Sequence, residues 1–219
     1  MKRTNLYFEL IMLAIIAFPI AFAVYQFPNL PDTIVTHYNL KGGADGFAEK
    51  NFAYYLILPG INLMLNLFMF AVPGMIPDEQ KAPSTLRILQ ATRFATAILL
   101  SGIAVFMVTS AAPHDAPNIE RWIGGGLFLL MLLPGNYMKE IKPNDFAGVR
   151  NSYTLEDPGV RKRTHRRASY LFFYTGWVGI TAAFVIDIPY FLFISIAALI
   201  ILCIASWQIS RIEHQKKHG

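Results

Sequence analysis

His37, Asp32, Asp45 and Glu49 fall within one short stretch of an otherwise apolar chain. An imidazole among carboxylates is the donor set from which a cation site or an acid–base pair is built. Only one imidazole is present, however, and carboxylates beside turn-forming residues ordinarily serve as caps. His114 and Asp115, further along, enlarge the set only if the two segments meet. The other imidazole of interest, His165, stands in a run dense in Lys and Arg. The chain contains no His-Glu-x-x-His stretch and no nucleophile elbow. Gly124-Gly125-Gly126 has no strand before it and no Lys-Ser/Thr after it, so it permits close backbone approach and does not cradle phosphate. Cys203 is the single cysteine and lies in an apolar run, so no intrachain disulfide and no paired-cysteine metal site is possible. These residues call for no cofactor and no bound metal.

The elements that hold them are set by composition. Of 219 residues, 54% are hydrophobic, too apolar for an ordinary soluble domain. A membrane-crossing helix needs about 20 mostly apolar residues, and the chain offers six such runs: Leu6–Phe27, Phe52–Ile76, Ile88–Ala112, Trp122–Met138, Ala168–Ile186 and Pro189–Ile209. The fold class is therefore an all-α polytopic membrane protein of about six transmembrane helices. Pro19, Pro59 and Pro73 bend their helices or mark interfacial ends. Asn62 and Asn66, four apart, share one face of the second helix and suit interhelical hydrogen bonding. Glu9 and Arg93 each sit about one turn inside a span, where they snorkel or pair.

Two connecting segments carry most of the information. In loop 28–50, Thr33 to Tyr38 is β-branched and aromatic and predicts a strand, with Gly42-Gly43 and Asp45-Gly46 as turn formers. In loop 139–167, Asp157-Pro158 is a good N-cap and first helical position. A basic helix starts there and runs into the fifth span through Arg161, His165 and Arg167, as an anchor on anionic headgroups or a surface for an acidic partner. The chain divides into residues 1–87, with two helices and the first loop, and residues 88–219, with four helices and the second, together one compact membrane unit.

Orientation follows from Lys and Arg. With the N-terminus inside, Lys41, Lys50 and Arg121 lie outside, and the remaining 16 of the 19 basic residues lie inside. The expected arrangement is N-in and C-in, in a bacterial inner membrane. A net charge of +5 concentrated beside apolar spans points to anionic lipid and away from direct nucleic-acid binding. Lys2-Arg3, an apolar run and Ala21-Phe22-Ala23 also resemble a cleavable signal peptide, but the run stays apolar beyond that site.

The pattern Leu30-Pro31, His37, Gly43 and Asp45 resembles a short extracytoplasmic domain found ahead of many bacterial membrane modules. Gly135-Asn136, Lys142-x-Asn144, Gly148-x-Arg150, Thr154-Leu155 and Thr164-His165-Arg166 resemble the SdpI family. Ser152-Tyr153 and Arg161 depart from that family's usual Pro-Trp pair and aromatic residue. The resemblance implies immunity against, or sensing of, a secreted toxic peptide, without catalysis, and in some members recruitment of a cytoplasmic repressor. It implies an outer ligand surface at His37, Asn39, Gly43 and Asp45. It implies an inner docking surface at Asn136, Asn144, Gly148, Arg150, Thr154, His165 and Arg166. Two other readings stand beside it: an intramembrane metal-dependent hydrolase, and a small transporter or lipid-binding protein with Asn62 and Asn66 lining a cavity. The hydrolase reading puts His37 and His165 on opposite sides of about 30 Å of hydrocarbon, and the transporter reading lacks an inverted repeat.

Reporter fusions after Lys50, Asp115 and Asp187 are expected to read external, and fusions after Lys81, Lys142 and His214 internal. One fusion on the wrong side changes the number of spans.

Overall fold

Apolar runs this long carry backbone groups that hydrocarbon cannot satisfy, and the α-helix satisfies them within the run. A computed structural model of the chain describes residues 6–39, 44–78, 81–111, 119–141, 147–185 and 190–218. The expected Gly42-Gly43 turn, Gly43 and Asn144 as site residues, His114, Asp115 and the turn 187–189 lie outside the described residues. The long helices are α1 (Leu6–Gln26), α2 (Ala53–Met75), α3 (Pro83–Thr109), α4 (Ile119–Met138), α6 (Pro158–Val185) and α7 (Phe191–His218); a short α5 (Ser152–Glu156) precedes α6. Five of the six long helices are long and apolar enough to cross a membrane, α4 being the exception. Its 20 residues include Glu120 and Arg121 at one end and Pro134 and Asn136 near the other, which leaves a shorter apolar stretch than the fourth span expected at Trp122–Met138. The fold class stands: an all-α polytopic membrane protein.

The 28 residues of α6 extend about 42 Å at 1.5 Å per residue, more than the hydrocarbon thickness. Its first ten residues, with five Arg or Lys, are the expected basic helix, continuous with the apolar span. Asp157 caps it: Oδ1 accepts the N–H groups of Gly159 at 2.7 Å and Val160 at 3.1 Å.

The chain divides into two compact units, and α2, α3 and α4 contribute to both. The first comprises Met1–Leu67 and Thr96–Ile123. Here the extended loop is a hairpin of β1 (Thr33–Tyr38) and β2 (Ala44–Glu49), antiparallel. Asp45-Gly46, expected in a turn, belongs to β2. Turn propensity yields because pairing with β1 supplies the backbone bonds. Ile34 and Val35 are buried, and Ile34 packs in a cluster with Ala23, Tyr55, Val108 and Ala111. Val35 donates its N–H to the Ala111 carbonyl at 3.0 Å. Asn62 is fully buried, and its amide donates to the Ala97 carbonyl at 3.2 Å and to Ser101 Oγ at 3.0 Å. Asn66 donates to Asn62 Oδ1 at 2.8 Å. The Asn62 bonds to α3 are the interhelical bonds expected of the pair, while the Asn66 bond to Asn62 runs within α2.

The second unit comprises Phe68–Ala95 and Gly124–Gly219. Glycines let its helices touch: a Cβ on Gly176 would stand 2.6 Å from the Leu132 backbone nitrogen, and one on Gly179 would fall within the Phe128 ring. Gly124 lies under Phe191 in the same way, fulfilling the close approach expected of the triple glycine. Ser169 ties the seam by donating to the Gly135 carbonyl at 2.7 Å. Arg93 is buried, its guanidinium 5.2 Å from the Phe70 ring centre.

Gly179→Ala is expected to destabilise the protein by about 1–3 kcal/mol through overpacking, read as a lower unfolding midpoint in detergent. Gly125→Ala, whose Cβ would rest an ordinary 3.6 Å from Ala183, leaves the midpoint unchanged.

Candidate functional site

On the hairpin, register shifts flank His37, between Val35 and His37 and again before Tyr38. Irregularities of this kind re-aim side chains, and here His37 Nδ1 meets Asp45 Oδ1 at 2.5 Å. Gly46 faces His37 so closely that a Cβ would stand 2.7 Å from the histidine's own. The His37–Asp45 pair is exposed, so it contributes little to stability. Asn39 is exposed as well. Tyr38, next to them, donates its hydroxyl to the Ser110 carbonyl. Burial raises the pKa of its phenol above the ordinary value, so it remains a donor at neutral pH. The hairpin is therefore anchored through Tyr38 and Val35 and presents His37, Asn39 and Asp45 outward.

The second set of residues forms a clasp around the Val149 peptide. Val149 donates its N–H to His165 Nε2 at 3.0 Å, and its carbonyl accepts the Thr154 hydroxyl at 3.0 Å. Nε2 also lies 3.3 Å from the Val149 carbonyl, so the ring meets both groups of that peptide, while Nδ1 has no hydrogen-bond partner among the described residues. Gly148 has a φ of 103°, the left-handed region, and a Cβ there would run into the His165 ring. Arg161, one turn before His165 on α6, donates Nη2 to the Ala147 carbonyl at 3.0 Å.

Asn151 then starts α5. Its side chain accepts the Thr154 N–H at 3.1 Å while the Thr154 hydroxyl accepts the Asn151 N–H at 3.0 Å, a reciprocal cap. Asn151 also donates to Ser210 on α7 at 2.6 Å. Between α6 and α7, the buried Glu213 carboxylate pairs with Arg163 Nε at 2.6 Å and Arg167 Nη1 at 2.9 Å. Lys217 closes on Asp157 at 2.5 Å.

The expected inner residues thus part company. Thr154 and His165 are buried and hold the loop, and Gly148 supplies its turn. Arg150, Arg166 and Asn136 are exposed. Sequence reasoning missed Asn151, Ser210 and Glu213. Asn151-x-x-Thr154 is a readable capping spacing. Arg163 and Arg167 at i, i+4 share a helix face, but nothing local to residue 213 announces that Glu213 is their partner.

These features define a polytopic helical membrane protein with a short strand hairpin and a clasped basic loop. Residues 140–208, which contain the clasp, match the SdpI/YfhL protein family. Residues 14–63, which contain the hairpin, match a domain of unknown function, DUF1648. No curated protein and no solved structure matches the chain.

Asn151→Ala is expected to weaken the clasp by about 1 kcal/mol, which is roughly fivefold faster amide exchange at Thr154 and Leu155. His165→Ala removes the acceptor of the Val149 N–H and exposes that amide to exchange. Hydrogen–deuterium exchange resolved to single amides checks both.

Proposed function

We propose that the chain is a non-catalytic immunity or peptide-sensing protein of a bacterial inner membrane. In this reading both ends are cytoplasmic, the hairpin meets a secreted peptide outside, and the basic loop docks a cytoplasmic repressor inside. The observation that carries it is the division of labour along α6. His165, the one histidine of the loop, has its Nε2 bound to the Val149 peptide and its ring buried. What the segment offers to a partner is charge: Lys162 and Arg166, at i, i+4, form an exposed stripe. The hairpin in turn offers His37 and Asp45, a hydrogen-bonding pair held out on an anchored strand.

The test is survival of cells challenged with a secreted toxic peptide, run alongside recruitment of a cytoplasmic repressor to membranes. His37→Ala and Asp45→Ala are expected to reduce survival at least tenfold with membrane abundance unchanged. A Lys162→Ala/Arg166→Ala double variant is expected to abolish recruitment and leave peptide binding intact. Loss of both activities in step with abundance would remove the division between the two surfaces.

A further inference from the structure

Beside the clasp, helices α3, α4, α6 and α7 border an open cleft of about 530 Å³. That is the size of a small-molecule site. Its walls include Leu89, Pro134, Phe172 and Trp207, with Arg150 and Asn151 contributed by the loop. The polar groups there are unequal. Asn151 is bonded to Ser210, and Ser206 donates to the Leu202 carbonyl at 2.7 Å. Arg150 is exposed and, among the described residues, makes no hydrogen bond or ion pair. One guanidinium over an apolar cleft is a recognition element for a molecule that is anionic at one end and hydrocarbon at the other. A planar five-donor fork suits phosphate in particular.

Two further observations fix where such a molecule comes from. Trp207 is exposed on α7, with Tyr153 6.5 Å from it, and aromatic side chains of this kind collect at the headgroup level of a bilayer. Trp207 and Cys203, both exposed, form the α7 wall, so a chain can enter sideways from the lipid without crossing water. The surrounding segment 139–167 holds eight Lys or Arg against four Asp or Glu, which favours an anion. We infer that the cleft binds one anionic phospholipid of the adjoining leaflet, its phosphate on Arg150 and an acyl chain against Leu89, Phe172 and Trp207. This site stands independently of the immunity reading, since none of the residues tested there lies in the cleft.

The full chain, purified in a mild detergent, is titrated with phosphatidylglycerol or phosphatidylcholine of identical acyl chains and followed by native mass spectrometry. One phosphatidylglycerol per chain is expected, bound at least tenfold tighter than phosphatidylcholine, and Arg150→Ala is expected to bring the two lipids level. Glycerol 3-phosphate alone is expected not to bind, which separates a lipid from a free phosphate. Cys203, the chain's single cysteine, gives a second readout on the unaltered protein. Its alkylation by N-ethylmaleimide is expected to slow at least fivefold with phosphatidylglycerol and not with phosphatidylcholine. Equal binding of the two lipids, glycerol 3-phosphate binding as tightly as the lipid, or alkylation indifferent to phosphatidylglycerol would overturn the assignment. So would an acidic peptide that protects Cys203 where phosphatidylglycerol does not.

Discussion

A peptide group taken out of a helix at the edge of a bilayer must be given a partner, and the hairpin and the loop before α6 are arranged around that requirement. In the hairpin, partners come from outside the sheet as well as within it. Ala111 accepts from Val35, and Lys50 reaches back with its backbone N–H to Asp32 and with its ammonium to Leu30, at 2.7 and 2.8 Å. In the loop the partners are side chains of α6 and the loop itself. Arg161, His165 and Thr154 serve the carbonyl of Ala147 and both groups of Val149. An imidazole that spends its lone pair on a main-chain N–H is a structural element, and the loop's path follows from it.

The cationic start of α6 shows how one helix keeps three roles apart. Arg161 and His165 form one stripe and turn toward the loop. Lys162 and Arg166 form the next and stay exposed. Arg163 and Arg167 form the third and converge on Glu213 of α7. A spacing of four puts each pair on one face, and a shift of one residue turns the face by about 100°. Glu213 is buried, and the carboxylate is compensated there by the Arg163 and Arg167 guanidiniums, with the Lys216 ammonium 4.0 Å away. The same contact relieves the repulsion between Arg163 and Arg167.

Much of this was legible in the sequence. Length and apolarity located five of the six expected spans, Asp157-Pro158 announced the start of α6, and the spacing of Asn62 and Asn66 announced their shared face. The triple glycine announced a close approach. What stayed hidden depends on contacts distant in the chain. Strand β2 includes Asp45-Gly46, residues of turn character that become a strand because β1 pairs with them. Helix α5 is five residues long, too short to carry periodicity, and exists through its reciprocal cap and its bond to Ser210. The candidate residues on the loop were recognised as a group, but their spacing does not distinguish the buried His165 from the exposed Arg166 beside it. Burial is decided by which stripe of α6 meets the loop.

The glycine seam between α4 and α6 has a mechanical consequence. Where the Leu132 backbone and the Phe128 ring press directly on Gly176 and Gly179, neither helix has side chains long enough to flex or slide in small steps. With Ser169 pinning the Gly135 carbonyl, the pair behaves as a single stiff plank. The seam with α7 is built differently: Phe191 and Leu202 pack into a buried apolar cluster with Phe128 and Met131, and further along Arg163 and Arg167 pair with Glu213.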